Sequence, residues 1–180
     1  MAVNLVELFG NAFETFLTQE EENILNGVSE RNLCARLAQI LEVRAHGLGL
    51  NEFFADVEYN RMQDGKLKLI RNGSEIPVSI TCDLILHSRG KFIGEKDNMI
   101  AIEMKRNIHP NREKDKDRNR LIALTKTPFD QVYSYDGRAH PESVCGYGLG
   151  VYIELNAPKR TVSIEEYEKG VRVRIRQINF

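Results

Sequence analysis

The chain has 180 residues, 42 % of them hydrophobic, which favours one domain able to fold without disulfide or metal staples. Its formal net charge is only −1, so overall charge does not advertise a nucleic-acid binder, and no apolar run reaches membrane-spanning length. Cys34, Cys82 and Cys145 are odd in number and widely spaced, which argues against a disulfide framework and a zinc knuckle.

Each cysteine is expected as a small buried apolar residue. The N-terminus has no basic segment followed by an apolar stretch, so no signal peptide is expected and a cytoplasmic location is. The charge is unevenly spread. Residues 1–58 carry ten acids against three Lys/Arg, whereas residues 105–120 carry seven Lys/Arg against three acids. A local basic surface can hold a phosphate backbone even on a neutral protein. The plainer reading of residues 105–120 is a solvated helix face.

Residues 4–17 read as an amphipathic helix, with Leu5, Leu8, Phe13, Phe16 and Leu17 apolar. Thr18 and the acidic turn after it suggest the start of a second short helix. Ser29 is placed to cap a helix through Asn32–Ala45, in which Leu33, Leu37, Ile40 and Leu41 recur at helical spacing. Residues 54–60 and 66–71 read as a hairpin turning at Asp64-Gly65. Asn72-Gly73-Ser74 reads as a turn. Residues 78–87 alternate, with Ile80, Cys82, Leu84 and Leu86 on one face and Ser79, Thr81, Asp83 and His87 on the other. Residues 88–97 form a polar connector suited to a hairpin-like return. Residues 98–105 alternate again, with Ile100, Ile102 and Met104 opposite Glu103 and Lys105.

A charged helix is predicted over 111–125, and a short helix from Pro128 through Tyr135. A buried strand follows at 147–155, and a terminal hairpin joins 159–165 to 171–178 at Lys169-Gly170. The order gives an α/β fold, a central mixed sheet flanked by helices. One domain spans 1–180, with N-terminal helices in 1–47, a core in 48–155 and a C-terminal hairpin in 156–180.

The chemistry centres on Glu103-Met104-Lys105. An acid and a lysine two residues apart on a strand share a face, and Met104 points the other way, into the core. Aspartate is disfavoured inside strands, yet Asp83 sits among Ile80, Cys82, Leu84, Ile85 and Leu86. If 78–87 and 98–105 pair antiparallel, Asp83 lies opposite Glu103. Two carboxylates so close repel unless a cation or a proton sits between them. The simpler alternative is an Asp83–Lys105 salt bridge. Helical phase adds Glu30, which projects into the stripe of Leu33, Cys34, Leu37, Ile40 and Leu41, while Glu42 falls on the far side and reads as solvated. The alternative for Glu30 is a frayed first turn, where an acid also suits the helix dipole.

Glu30 on a helix, Asp83 on a strand and Glu103-x-Lys105 on the next resemble the PD-(D/E)xK nuclease superfamily, over about residues 28–155. Cys82-Asp83 stands where the family name has proline-aspartate. The resemblance implies a restriction-endonuclease-like core and a Mg²⁺- or Mn²⁺-dependent nuclease. Such an enzyme hydrolyses phosphodiesters, here of DNA in preference to RNA, to 5′-phosphate and 3′-hydroxyl ends. In that role Asp83 and Glu103 hold the metal with the Met104 carbonyl, Glu30 completes the shell, and Lys105 positions or deprotonates the attacking water.

Arg106, Lys114, Lys116, Arg118 and Arg120 are candidates to track the substrate backbone. Gln131 and Tyr133 are candidates to line the groove, against a plain core or loop role. His87 is weighed as a neighbour of the metal shell or a rim residue. Specificity is expected to be low, or to come from a homodimer or a partner subunit; Phe13 and Phe16 are weighed as a dimer surface against a core role. The competing class is a catalytically silent module of the same fold that binds nucleic acid or protein.

Overall fold

The structure is a computed structural model in which residues 3–59, 65–92 and 97–180 are described. The chain opens with α1 (Leu5–Leu25), whose N-cap Asn4 accepts the Glu7 amide through its side chain. Thr18 does not start a new helix. Its hydroxyl donates to the Glu14 carbonyl one turn back, and Glu20 is buried against Arg36 and Asn23, so α1 runs on to Ile24, itself buried. Ser29 caps α2 (Glu30–Gly47) as its position suggested, its hydroxyl accepting the Asn32 amide at 3.3 Å.

A six-stranded sheet carries the rest. Its order is β1 (Phe54–Val57), β4 (Leu84–His87), β5 (Asn98–Arg106), β7 (Leu149–Asn156), β8 (Thr161–Glu168) and β9 (Val171–Asn179). β5 and β7 run parallel and the other neighbours antiparallel, so the sheet is mixed. The parallel pair requires a crossover. It is made by α3 (Asn111–Thr125), the short strand β6 (Val132–Ser134) and one turn of helix, α4 (Pro141–Val144). A second sheet of three strands has the order β3 (Ser74–Ser79), β2 (Lys66–Arg71), β6.

Two cores follow from strand alternation. Helices α1 and α2 cover one face of the large sheet, meeting Leu84 and Leu86, Ile100, Ile102 and Met104, and Val151 and Ile153. Phe9, Phe13 and Phe16 stack in series there, their centroids 5.3 and 5.5 Å apart, and are at most 1 % exposed. Phe13 and Phe16 are therefore core residues and offer no dimer surface. On the opposite face α3 and the small sheet enclose Leu67, Leu69, Ala101, Leu121, Leu124 and Val132. Among the described residues no helix is long and apolar enough to cross a membrane.

Four further expectations from the sequence are corrected. β1 pairs with β4, and the hairpin partner of β2 is β3, across Asn72-Gly73. Those two residues have φ of 51° and 75°, the positive pair that a two-residue hairpin turn demands. Asp64, half of the turn expected instead, lies outside the described residues. The single strand predicted over 78–87 is two strands in two sheets. Ile80 and Cys82 pack in the α3-side core while Leu84 and Leu86 pack under the N-terminal helices, because the chain changes sheets between Ser79 and Leu84. Residues 128–135 contain β6 rather than a helix, since Val132 is buried against Leu69. Glu42 is not merely solvated: its carboxylate accepts the Ala55 amide at 2.8 Å. The 88–97 return does join antiparallel β4 and β5, closed by Ser88 N–H donating to the Asp97 carbonyl; residues 93–96 lie outside the described residues.

Candidate active site

β5 carries the centre of the site. Its Glu103 and Lys105 project to the α3 side while Ile102 and Met104 face the helical core. Asp83 stands one residue before β4, in a bend rather than mid-strand. The β4–β5 register pairs Leu84 with Ile102, so Asp83 is the next position along, beside Glu103. Its Oδ2 accepts the Met104 amide at 2.9 Å, and its own carbonyl accepts the Glu58 amide at 3.1 Å. Asp83 is thus held by backbone on both sides, through its carboxylate on one and its carbonyl on the other.

Glu30 reaches the same place from the first turn of α2. Its Oε1 accepts the Arg106 amide at 2.7 Å and lies 2.8 Å from His109 Nε2; its Oε2 is 3.9 Å from Lys105 Nζ. From above, α3 lowers Asp117 and Arg120. Asp117 Oδ2 is 3.5 Å from Lys105 Nζ, and Arg120 Nη1 donates to Glu103 Oε1 at 2.5 Å and to Asp117 Oδ1 at 3.2 Å. Arg120 Nε also donates to the Ser79 carbonyl, tying the end of β3 to the cluster.

Asp117 was not singled out by the sequence reading, although a signal was available. Lys114, Asp117, Leu121 and Leu124 recur at three- and four-residue spacing and are all buried, so Asp117 lies on the inward stripe of α3. The same phase argument that selects Glu30 selects Asp117.

The electrostatics follow from burial. Glu103 has no exposed surface, and burial pushes its carboxyl well above the ordinary glutamate range. Asp83 and Asp117 push it further, and Arg120 pulls it back only in part. Burial likewise raises Asp117 against the pull of Lys105 and Arg120. For Lys105 burial favours the neutral amine, but Asp83, Asp117, Glu103 and Glu30 outweigh it and hold the ammonium above its usual range. Lys105 is therefore a cation at neutral pH. Glu103 Oε2 is buried without a hydrogen-bond partner, free of Arg120, and Asp117 Oδ2 faces the Lys105 ammonium at 3.5 Å.

Comparison with protein-family models, curated proteins and solved structures finds no match.

The cluster accordingly stands on its own geometry. Its oxygen donors suit a hard divalent cation, and the partnerless Glu103 Oε2 lies on the side of Glu103 not used by Arg120. Among the described residues, however, no three His, Cys, Asp or Glu side chains are already arranged around a common ion. Asp83 and Glu103, adjacent in register, are the donors such an ion would use; Glu30 is committed to Arg106 and His109 at one oxygen.

The basic residues proposed for the backbone divide. Lys116 is exposed on α3. Lys114 is buried, donating to the Asn107 carbonyl and pairing with Glu154 at 3.1 Å. Arg118 lies over the Tyr152 ring and grips Glu165 at 2.8 Å. Arg106 donates to the Val28 carbonyl, and Arg120 is the counter-ion of Glu103. Four of the five thus fasten α3 or β5 to the body of the protein. His87 is fully buried at the other end of β4 from Asp83, 2.9 Å from Asp56.

Proposed function

We propose that the protein is a divalent-metal-dependent nuclease with a restriction-endonuclease-like core, hydrolysing phosphodiester bonds with DNA as its expected substrate. The observation that carries this reading is the convergence of Glu30, Asp83, Glu103 and Asp117 on the single ammonium of Lys105. A carboxylate raised first by burial and then by its acidic neighbours, with one oxygen partnerless, is an arrangement that a bound cation would relieve.

Asp83 and Glu103 are the residues that would hold Mg²⁺ or Mn²⁺, with the Met104 carbonyl as a further oxygen. The ion would supply Lewis acidity at the phosphoryl oxygen and a more acidic bound water. The chain's own part is positional and electrostatic. A water oxygen bonds to phosphorus as its proton passes to solvent, the bond to the 3′-oxygen breaks and that oxygen takes a proton from solvent, and charge builds on the phosphoryl oxygens in between. Lys105, kept protonated by its acids, would offset that charge as a donor rather than remove the water's proton. Glu30 and Asp117 would fix the ammonium from two sides.

The test is hydrolysis of DNA by the purified protein with Mg²⁺ or Mn²⁺, against Lys105→Ala. Loss of one such charge is expected to lower the rate about 10²–10⁴-fold with the fold intact by circular dichroism. Full activity in Lys105→Ala refutes the role given to that residue.

One contact favours the second reading, a silent module. Arg120 already neutralises Glu103, as it would if the acids served only to dock α3 on the sheet. Calorimetry with Mn²⁺ separates the two. No heat and no gain in melting temperature at millimolar ion would favour the module.

A further inference from the structure

Two features away from the carboxylates lie side by side. The first is the outer face of the small sheet. Its inner face is closed by Leu67, Leu69 and Val132, so the alternate residues face outward. Tyr133 pairs with Lys68 in register, and the Tyr135 amide donates to the Lys66 carbonyl, continuing the same ladder. Cross-strand partners share a face, so each tyrosine stands beside a lysine. Tyr133, on β6, and Tyr135, one residue past its end, are 43 % and 52 % exposed.

The second feature is a cavity of about 880 Å³ between α3, β2 and the β8–β9 turn. Arg71, Arg118, Lys126 and Arg172 line it, with Asp115 the acid among them. Ile70 and Gln131 also line it and join it to the small sheet, where the Ile70 amide donates to the Gln131 carbonyl at 2.8 Å. Arg118 and Arg172 are held on the buried Glu165, while Lys126 of the cavity and Lys68 of the neighbouring sheet have exposed partners. Lys68 meets Glu75 and Lys126 meets Asp130, both acids more than half exposed. Such pairs are weak and readily exchanged for a phosphate.

We propose that the outer face of β2 and β6, together with the adjoining basic cavity, binds single-stranded nucleic acid. Flat exposed rings offer every base a stacking surface, and cations beside them meet the phosphates; that pairing of chemistries recognises single strands without sequence preference. The spacing supports the choice. Side chains two apart on a strand stand about 7 Å from each other, too far for consecutive bases stacked as in a duplex at about 3.4 Å, but suited to bases splayed apart. A duplex keeps its base faces on one another and could use only the cations. The cavity then tracks the backbone toward α3, the helix that also carries Asp117.

The surface is distinct from the proposed hydrolytic cluster, and its test is arranged to be independent of it. The full chain is titrated into fluorescein-labelled oligothymidylate and into a labelled duplex, at low ionic strength with chelator present, and anisotropy is read. The chain has no tryptophan and six tyrosines, so quenching of tyrosine emission reports stacking directly. The expected result is tighter binding of the single strand with quenching. The Tyr133→Ala/Tyr135→Ala variant should bind it at least about tenfold more weakly, and Tyr133→Phe/Tyr135→Phe should retain most of the affinity. Binding is read in chelator, without turnover, so loss of hydrolysis and loss of binding remain separate results. Undiminished affinity in the double alanine variant, equal affinity for the duplex, or absence of binding would each overturn the proposal. Both tyrosines are solvent-exposed, and an unchanged melting temperature checks that the fold survives.

Discussion

Removing the Arg120 guanidinium is the sharpest probe of the carboxylate cluster. The Glu103 side chain has no exposure and Arg120 only 16 %, so the pair is desolvated. Deleting one member of such a pair costs about 3–5 kcal/mol, because the other charge is left buried without compensation. For a chain of this size each kcal/mol moves the melting temperature by about 2–4 °C. Arg120→Ala should therefore melt about 6–20 °C below the parent at neutral pH.

The pH dependence has a definite sign. Glu103 is raised in the folded protein, so its contribution is most favourable below the ordinary value of 4.5 and is lost as pH rises through the folded value. Arg120 lowers Glu103, and its removal raises that carboxyl further. The penalty should then be largest at neutral pH and shrink as pH falls toward 4.5. Scanning calorimetry between these limits measures it. Adding Glu103→Gln to Arg120→Ala should restore part of the loss, since the buried anion disappears. A variant within 1 kcal/mol of the parent, or a deficit independent of pH, would refute the assignment of Arg120 as the counter-ion of Glu103.

Two further outcomes follow from named contacts. Asp83→Asn can still accept the Met104 amide but no longer repels Glu103, so the Glu103 carboxyl should titrate lower; carbon-13 NMR of the side-chain carboxyls would reveal an unmoved signal if the coupling is absent. Gly150→Ala places a Cβ 2.8 Å from Thr125 Cγ2 and 3.2 Å from Tyr167 Cβ, where α3 presses on β7. Overpacking of this kind costs about 1–3 kcal/mol, and an equally stable variant in chemical denaturation would mean that α3 sits less tightly on the sheet.

Local pattern was legible wherever one face of one element is buried against one layer. Leu33, Cys34, Leu37 and Leu41 gave α2 its phase, and Ser29 its start. Ile100, Ile102 and Met104 fixed the orientation of β5, which in turn set Glu103 and Lys105 on one face. Lys169 and Gly170, with φ of 48° and 74°, made the last hairpin readable from chemistry alone. These features depend on period and on turn geometry, both of which are written in a few consecutive residues.

Tertiary structure decided what consecutive residues cannot encode. Alternation runs unbroken through Ile80, Cys82, Leu84 and Leu86, yet the chain changes sheets among them, because period reports burial and not which layer does the burying. It likewise cannot say which acids the inward cations of α3 meet, Glu154 for Lys114 and Glu103 for Arg120. A charge on a helix reads as solvated until the acid facing it, 17 residues away for Arg120, is brought across the sheet. The sequence by itself determined which face of β5 carries Glu103 and Lys105. Only the fold brought Glu30, Asp83 and Asp117 to that face, since their meeting depends on pairings between distant segments whose free energy is won in the packed core.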